Sequence, residues 1–169
     1  MLIDIHALII SQLTKKYEEI KTTFLKAISQ LNDEQLNWRP NKESNSIANL
    51  AVHIVGNINQ RINSGILGLP DTRNRETEFN PQLVLTQEEI KVLINESFNL
   101  LISTTEQLKK DDLLRTQEVR GKSKYIYEVL QQCATHYSEH LGQVLYIAKL
   151  CLGSDFITTS IYKPTHPTN

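Results

Sequence analysis

Apolar residues recur every three or four positions in four separate stretches of the chain, the spacing of an amphipathic helix. The first stripe is Ile5, Leu8, Ile9, Leu13, Tyr17, Ile20, Phe24, Ala27, Ile28 and Leu31. It predicts a helix ~25 residues long that stops where Asn32-Asp33 breaks the pattern. Pro40 then forbids simple continuation. A second helix is expected after Asn41-Lys42-Glu43, capped by Ser44 or Ser46, with Ile47, Leu50, Ala51, Ile54, Ile58 and Ile62 on its buried face. It fades at Gly65 and Gly68-Leu69-Pro70. Residues 68–85 are polar and carry Pro70, Asp71, Asn74, Asn80 and Pro81, the composition of a long surface connection. Connections of that length inside a compact domain are often functional.

Thr86 and Glu89 have the spacing of a capping box and open a third helix. Its stripe runs Ile90, Leu93, Ile94, Phe98, Leu101, Ile102, Thr105 and Leu108, and Lys109-Lys110-Asp111-Asp112 ends it. Residues 113–126 alternate weakly around Gly121, which fits a short extended or hairpin connection. The fourth helix is expected from Tyr127 to Leu152 on the stripe Leu130, Cys133, Ala134, Tyr137, Leu141, Val144, Leu145, Ala148 and Leu152, with Gly153 as its stop. The polar tail from residue 154 is expected to be irregular. Four amphipathic helices without a convincing sheet predict an all-α, four-helix bundle. The connections 32–43 and 66–85 are long enough for a topology other than simple up-and-down.

Length and charge narrow the function. The 169 residues suit one domain spanning 1–169. A net charge of −1 lacks the basic excess of a nucleic-acid module. No apolar run is long enough for a transmembrane span, and Met1-Leu2-Ile3-Asp4-Ile5-His6 has no secretory pattern. Cys133 and Cys151 fall on one predicted helix ~27 Å apart, far beyond disulfide reach. Two free thiols point to a reducing cytoplasm.

The sharpest chemical signal is His136 and His140. Four residues apart on a helix, they differ by ~40° around the axis and ~6 Å along it, so both imidazoles reach one ion. They lie at the edge of the apolar stripe, in register with Val129, Gln143 and Ile147. His53 borders the stripe of the second helix and is the candidate third ligand. Three histidines from two helices leave a coordination position open for water or a thiolate. The plainer reading makes each histidine a boundary residue satisfied by a neighbour. Gln143 and Asn57, one turn beyond His140 and His53, are candidates to orient a ligand, or are simply polar rim residues. Glu139 points ~100° away from His140. His6 and His166 read as ordinary surface residues.

Other chemistry is weaker. Cys133 lies on the apolar stripe, and buried cysteines are inert packing residues. No phosphate-binding loop or nucleophile elbow is present. Trp38, before Arg39-Pro40, is expected to plug the end of the bundle, with Arg39 as an alternative anion ligand. Arg61, Arg73 and Arg75 are further anion candidates, although Arg73-Asn74-Arg75-Glu76 has the look of a solvated charge run. Gly56, Gly65 and Gly68 read as close-packing and turn residues.

Three segments taken together resemble the DinB-like (YfiT-type) superfamily, in its branch of small bacterial proteins of unassigned function. They are Leu36-Asn37-Trp38-Arg39-Pro40, Ser46-Ile47-Ala48-Asn49-Leu50-Ala51-Val52-His53-Ile54-Val55-Gly56-Asn57, and His136-Tyr137-Ser138-Glu139-His140-Leu141-Gly142-Gln143. The resemblance covers roughly residues 2–160. It implies a four-helix bundle of DinB type with a metal triad on His53, His136 and His140. It also implies a divalent ion, zinc or nickel first, and a homodimer. Some members transfer or isomerise thiols, using a low-molecular-weight thiol such as bacillithiol or mycothiol. The function expected is therefore a cytoplasmic metal-dependent enzyme acting on a small molecule, as a thiol S-transferase or a hydrolase. The alternative is a non-catalytic, metal-binding or stress-related dimeric bundle.

Overall fold

The computed structural model describes residues 4–159. Helix α1 spans Ile5–Ile28 and is capped by Asp4, whose carboxylate accepts from the backbone N–H groups of His6 and Ala7. Leu13, Tyr17, Ile20, Phe24, Ala27 and Ile28 form its buried face. A five-residue helix, α2 (Asp33–Asn37), follows where only a connection was expected. It carries too few residues for a periodic stripe. Its start is set by Asn32 and Gln35, which form a reciprocal capping box. Leu36 is its buried anchor, whereas Trp38 is 41% exposed and does not plug the bundle.

Helix α3 spans Ile47–Ile58 behind a second capping box, Ser46 with Asn49. It continues as a π-helical segment over Asn59–Ser64. Segment 68–85 is not wholly irregular, because Asn74 caps a single turn, α4 (Arg75–Glu78). The expected Thr86/Glu89 box opens α5 (Gln87–Gln107). A short 3-10 turn (Asp112–Leu114) leads into an antiparallel hairpin, β1 (Thr116–Val119) and β2 (Lys122–Tyr125), with Thr116 opposite Tyr125 and Val119 opposite Lys122. Helix α6 (Ile126–Leu152) stops at Gly153, whose φ is +56°. A left-handed residue there suits glycine, as the sequence predicts.

The architecture is a four-helix bundle. Helix α1 packs against α5 and α6, and α3 packs against the same two, so α1 stands diagonally opposite α3. Consecutive long helices therefore cross the bundle twice, from α1 to α3 through residues 29–46 and from α5 to α6 through 108–125. The long segment 66–85 instead joins the neighbours α3 and α5. The core between them includes Tyr17, Phe24, Ile54, Ile58, Phe98 and Tyr137, all fully buried. Each such side chain contributes roughly 1.5–3 kcal/mol by leaving water. Tyr17 ties α1 to α6 by donating to the Leu130 carbonyl at 2.8 Å. His6 is half-buried instead of free at the surface, with its Nε2 2.9 Å from the Leu108 carbonyl at the end of α5. His166 lies outside the described residues. Cys133 and Cys151 are both free on α6. Among the described residues, no helix is long and apolar enough to cross a membrane.

Candidate metal centre

Helices α3 and α6 lie side by side, and they bring His53 to His136 and His140. The helical spacing of the last two puts both rings on the face toward α3. His140 Nε2 lies 2.9 Å from His136 Nε2, and His53 Nε2 lies 3.2 Å from the same atom. His53 is buried, and the other two are half-buried. Among the described residues, these three form the one group with histidine, cysteine or carboxylate atoms placed to hold an ion.

Hydrogen bonds on the far side of two of the rings, His53 and His140, set their tautomers. His53 Nδ1 donates to Glu78 Oε2 at 2.8 Å, so its Nε2 carries a lone pair. His140 Nδ1 donates to Gln143 Oε1 at 3.0 Å, so its Nε2 also carries a lone pair. Both lone pairs converge on His136 Nε2. One proton on that atom could satisfy one of them and would leave the other facing its own kind. A cation among the three nitrogens satisfies all three at once. A tetrahedral ion bound at about 2.0–2.1 Å spaces its nitrogens by about 3.3 Å, close to the 2.9 and 3.2 Å that separate His136 Nε2 from the other two. The donor set fits a divalent metal ion.

Electrostatics favour the neutral ligands that a metal requires. Burial, followed by the proximity of His140 and His53, pushes His136 down to about 4. Burial also lowers His53, against the opposing pull of Glu78.

Glu78 is the residue the sequence pattern missed. It closes α4, inside a segment expected to be surface, yet it is only 2% exposed. Burial would raise its carboxyl, but hydrogen bonds from Arg73 and His53 outweigh that and hold it below the ordinary glutamate value. Arg73 grips it with a two-pronged contact, Nε to Oε1 at 2.6 Å and Nη2 to Oε2 at 2.9 Å. The expectation of a solvated run at 73–76 fails at its first residue. The Arg73 side chain is 3% exposed, because Glu78 and Gln60 take its donors. Arg75 and Glu76 are exposed, as expected. The result is a carboxylate–histidine pair behind a candidate ligand, the arrangement that orients metal-binding imidazoles elsewhere. The signals available were the length of the connection and Gly56, one turn below His53.

Gly56 is what allows Glu78 to approach. A Cβ there would overlap Glu78 Oε1 and lie 3.1 Å from its Cδ. Gly56→Ala is therefore expected to displace the carboxylate and weaken metal affinity by roughly 10–100-fold, the usual effect of losing such a partner. Competition with a chromophoric chelator measures it, and unchanged affinity would remove Glu78 from the site.

The remaining candidates divide. Gln143 touches His140, as its spacing suggested. Asn57 is buried one turn beyond His53; its Oδ1 accepts from Tyr137 at 2.9 Å, and the residue walls a cavity beside His136. Arg39 is tied into the scaffold, donating to the carbonyls of Ser44 and Asn80 and, at 2.6 Å, to Asn49 Oδ1. Asn49 in turn donates to the Glu78 carbonyl at 2.9 Å, so Arg39 meets the histidines only through the backbone of α4. Cys133 is core, and burial pushes its thiol up to about 11. Glu139 is exposed.

The fold is similar to that of solved DinB-like proteins. A DinB-like protein from Bacillus subtilis (YjoA) superposes with a TM-score of 0.66 at 16% identity, over 88% of this chain and 97% of that one. A DinB-like protein from Bacillus cereus gives a TM-score of 0.66 at 18% identity, over 82% of this chain and 90% of that one. The chain itself belongs to the family described as "Protein of unknown function (DUF1572)", which matches residues 4–165. No curated protein matches it.

Proposed function

We propose that the chain is a divalent-metal-dependent enzyme, with the ion held by His53, His136 and His140 and one coordination position left to a small molecule. The observation that carries this reading is the convergence of three Nε2 atoms beside a cavity walled by His136. Three imidazoles without a carboxylate or thiolate suit zinc, nickel, copper and iron alike, and the resemblance to DinB-like proteins puts zinc or nickel first. Such an ion would supply Lewis acidity, lowering the pKa of a bound thiol or water towards neutrality.

The chain's own residues set the conditions for that chemistry. Glu78 keeps the proton of His53 on Nδ1, and Gln143 does the same for His140, so the ligand atoms remain available. Asn57 sits at the cavity wall, positioned to orient a substrate. Cys133 is among the residues that wall the cavity, but it is buried and burial pushes its thiol up to about 11. That favours a nucleophile that enters from solution, as a small thiol or as water. Thiol transfer to an electrophile is the first reaction class proposed and hydrolysis the second.

Cobalt substitution tests the open position. Adding a small thiol such as cysteine at neutral pH is expected to produce a thiolate-to-cobalt charge-transfer band, and raising the pH without thiol is expected to shift the visible spectrum. A cobalt spectrum indifferent to both would show a closed coordination sphere and sink the enzyme reading.

A further inference from the structure

The cavity beside His136 has a volume of about 330 Å³, enough for a small molecule. Its walls carry Arg61 from the π-helical segment and Arg120, Lys122 and Lys124 from the hairpin, and no Asp or Glu lines it. Among the described residues, none of the four cations stands in an ion pair. The whole chain has a net charge of only −1, so this positive charge is gathered locally.

Two features show that the gathering is built into the fold. Arg61 is half-buried, yet the hydrogen bond recorded at it outside its own helix is to its carbonyl, from Gln117 Nε2 at 3.4 Å. Burial, with the charges of Arg73 and Arg120, pulls its pKa below the ordinary arginine value, as expected of a cation short of anions. Arg120 occupies a left-handed conformation, φ +52°, before Gly121 at +73°. Two-residue hairpin turns of this hand favour Asn-Gly, and an arginine there is strained by roughly 1–2 kcal/mol. The hairpin is also firmly seated. Gln117 packs so closely on Gly65 that a Cβ there would overlap it, which fixes β1 against the π-helical segment.

We propose that this cavity is an anion seat, in which Arg61 and Arg120 hold a carboxylate or phosphate group of the molecule whose other end meets the histidine cluster at His136. The inference rests on reading those histidines as a metal site, and it adds the chemical class of the substrate. The lysines of β2 widen the positive field, and Asn57 and His136 form the wall shared with the metal ligands.

Calorimetric titration of inorganic phosphate and of succinate into the purified protein tests the seat, with succinamide as the neutral control. Arg61→Gln and Arg120→Asn are measured alongside, with the metal content of each determined by elemental analysis. Arg120→Asn suits the turn and keeps the fold. Each variant is expected to bind the anion about tenfold more weakly, the effect of losing one charged hydrogen-bond donor. Tighter binding of phosphate assigns the seat to a phosphoryl group, and tighter binding of succinate assigns it to a carboxylate. Failure of both anions to bind the wild type, or variants that bind as the wild type does, overturns the proposal. Arginine-dependent binding by a protein that takes up no metal even after incubation with zinc or nickel upholds the seat and removes the metal reading alone.

Discussion

Replacing His140 with alanine is expected to weaken metal binding by roughly 100–1,000-fold while leaving the helical fold in place. A four-ligand zinc site is worth about 10–16 kcal/mol, so one ligand accounts for about 2.5–4 kcal/mol, and each 1.4 kcal/mol is a factor of ten. The fold should survive because His140 is half-buried at the edge of α6, and its far nitrogen meets only Gln143 on the same helix. Chelator competition gives the affinity, and circular dichroism reports the helices. Unchanged affinity in a folded His140→Ala protein would rule the residue out as a ligand.

Arg73→Ala is expected to be the most destabilising single change in the site. The Arg73 and Glu78 side chains are 3% and 2% exposed, so removing the guanidinium strands a buried carboxylate. Breaking a buried pair in this way costs about 3–5 kcal/mol. In a chain of this length that lowers the melting temperature by roughly 6–20 °C. The pair also sets a pH dependence. The carboxyl of Glu78 is lowered in the fold, so the stability it contributes is present above the ordinary glutamate pKa of about 4.3 and is lost as pH falls through the lower folded value. Adding Glu78→Gln to Arg73→Ala should recover part of the loss, because the stranded charge is gone. Thermal melts of the single and double variants decide this. A single variant that melts within a degree or two of wild type would mean that the pair is dispensable.

The sequence made the long helices and the His136–His140 pair legible for the same reason: both depend on spacing within one element. Stripes at three and four residues mark α1, α3, α5 and α6 because each helix buries one face. Thr86 with Glu89, Ser46 and Gly153 mark their ends because free backbone groups need partners. His136 and His140 meet because a helix turn makes them meet, and His53 joins them because α3 is the neighbour of α6. What spacing could not show depends on tertiary contact. Helices α2 and α4 are a turn or so long and carry no period. Arg73 looks like one charge among several until the chain folds back over Gly56 and buries it against Glu78. Trp38 had the size to plug the bundle, but Leu36 took that place on α2. The π-helical segment interrupts no pattern, since Ile62 stays buried across it, yet it carries both Gln60, which meets Arg73, and Arg61, which meets the cavity.

Elemental analysis of the untagged protein, with His53→Ala prepared beside it, tests the central claim most directly. The account predicts close to one divalent ion per wild-type chain, zinc or nickel, and little in the variant. Wild-type protein that stays free of metal after incubation with either ion, or a variant that holds as much as the wild type, would contradict it.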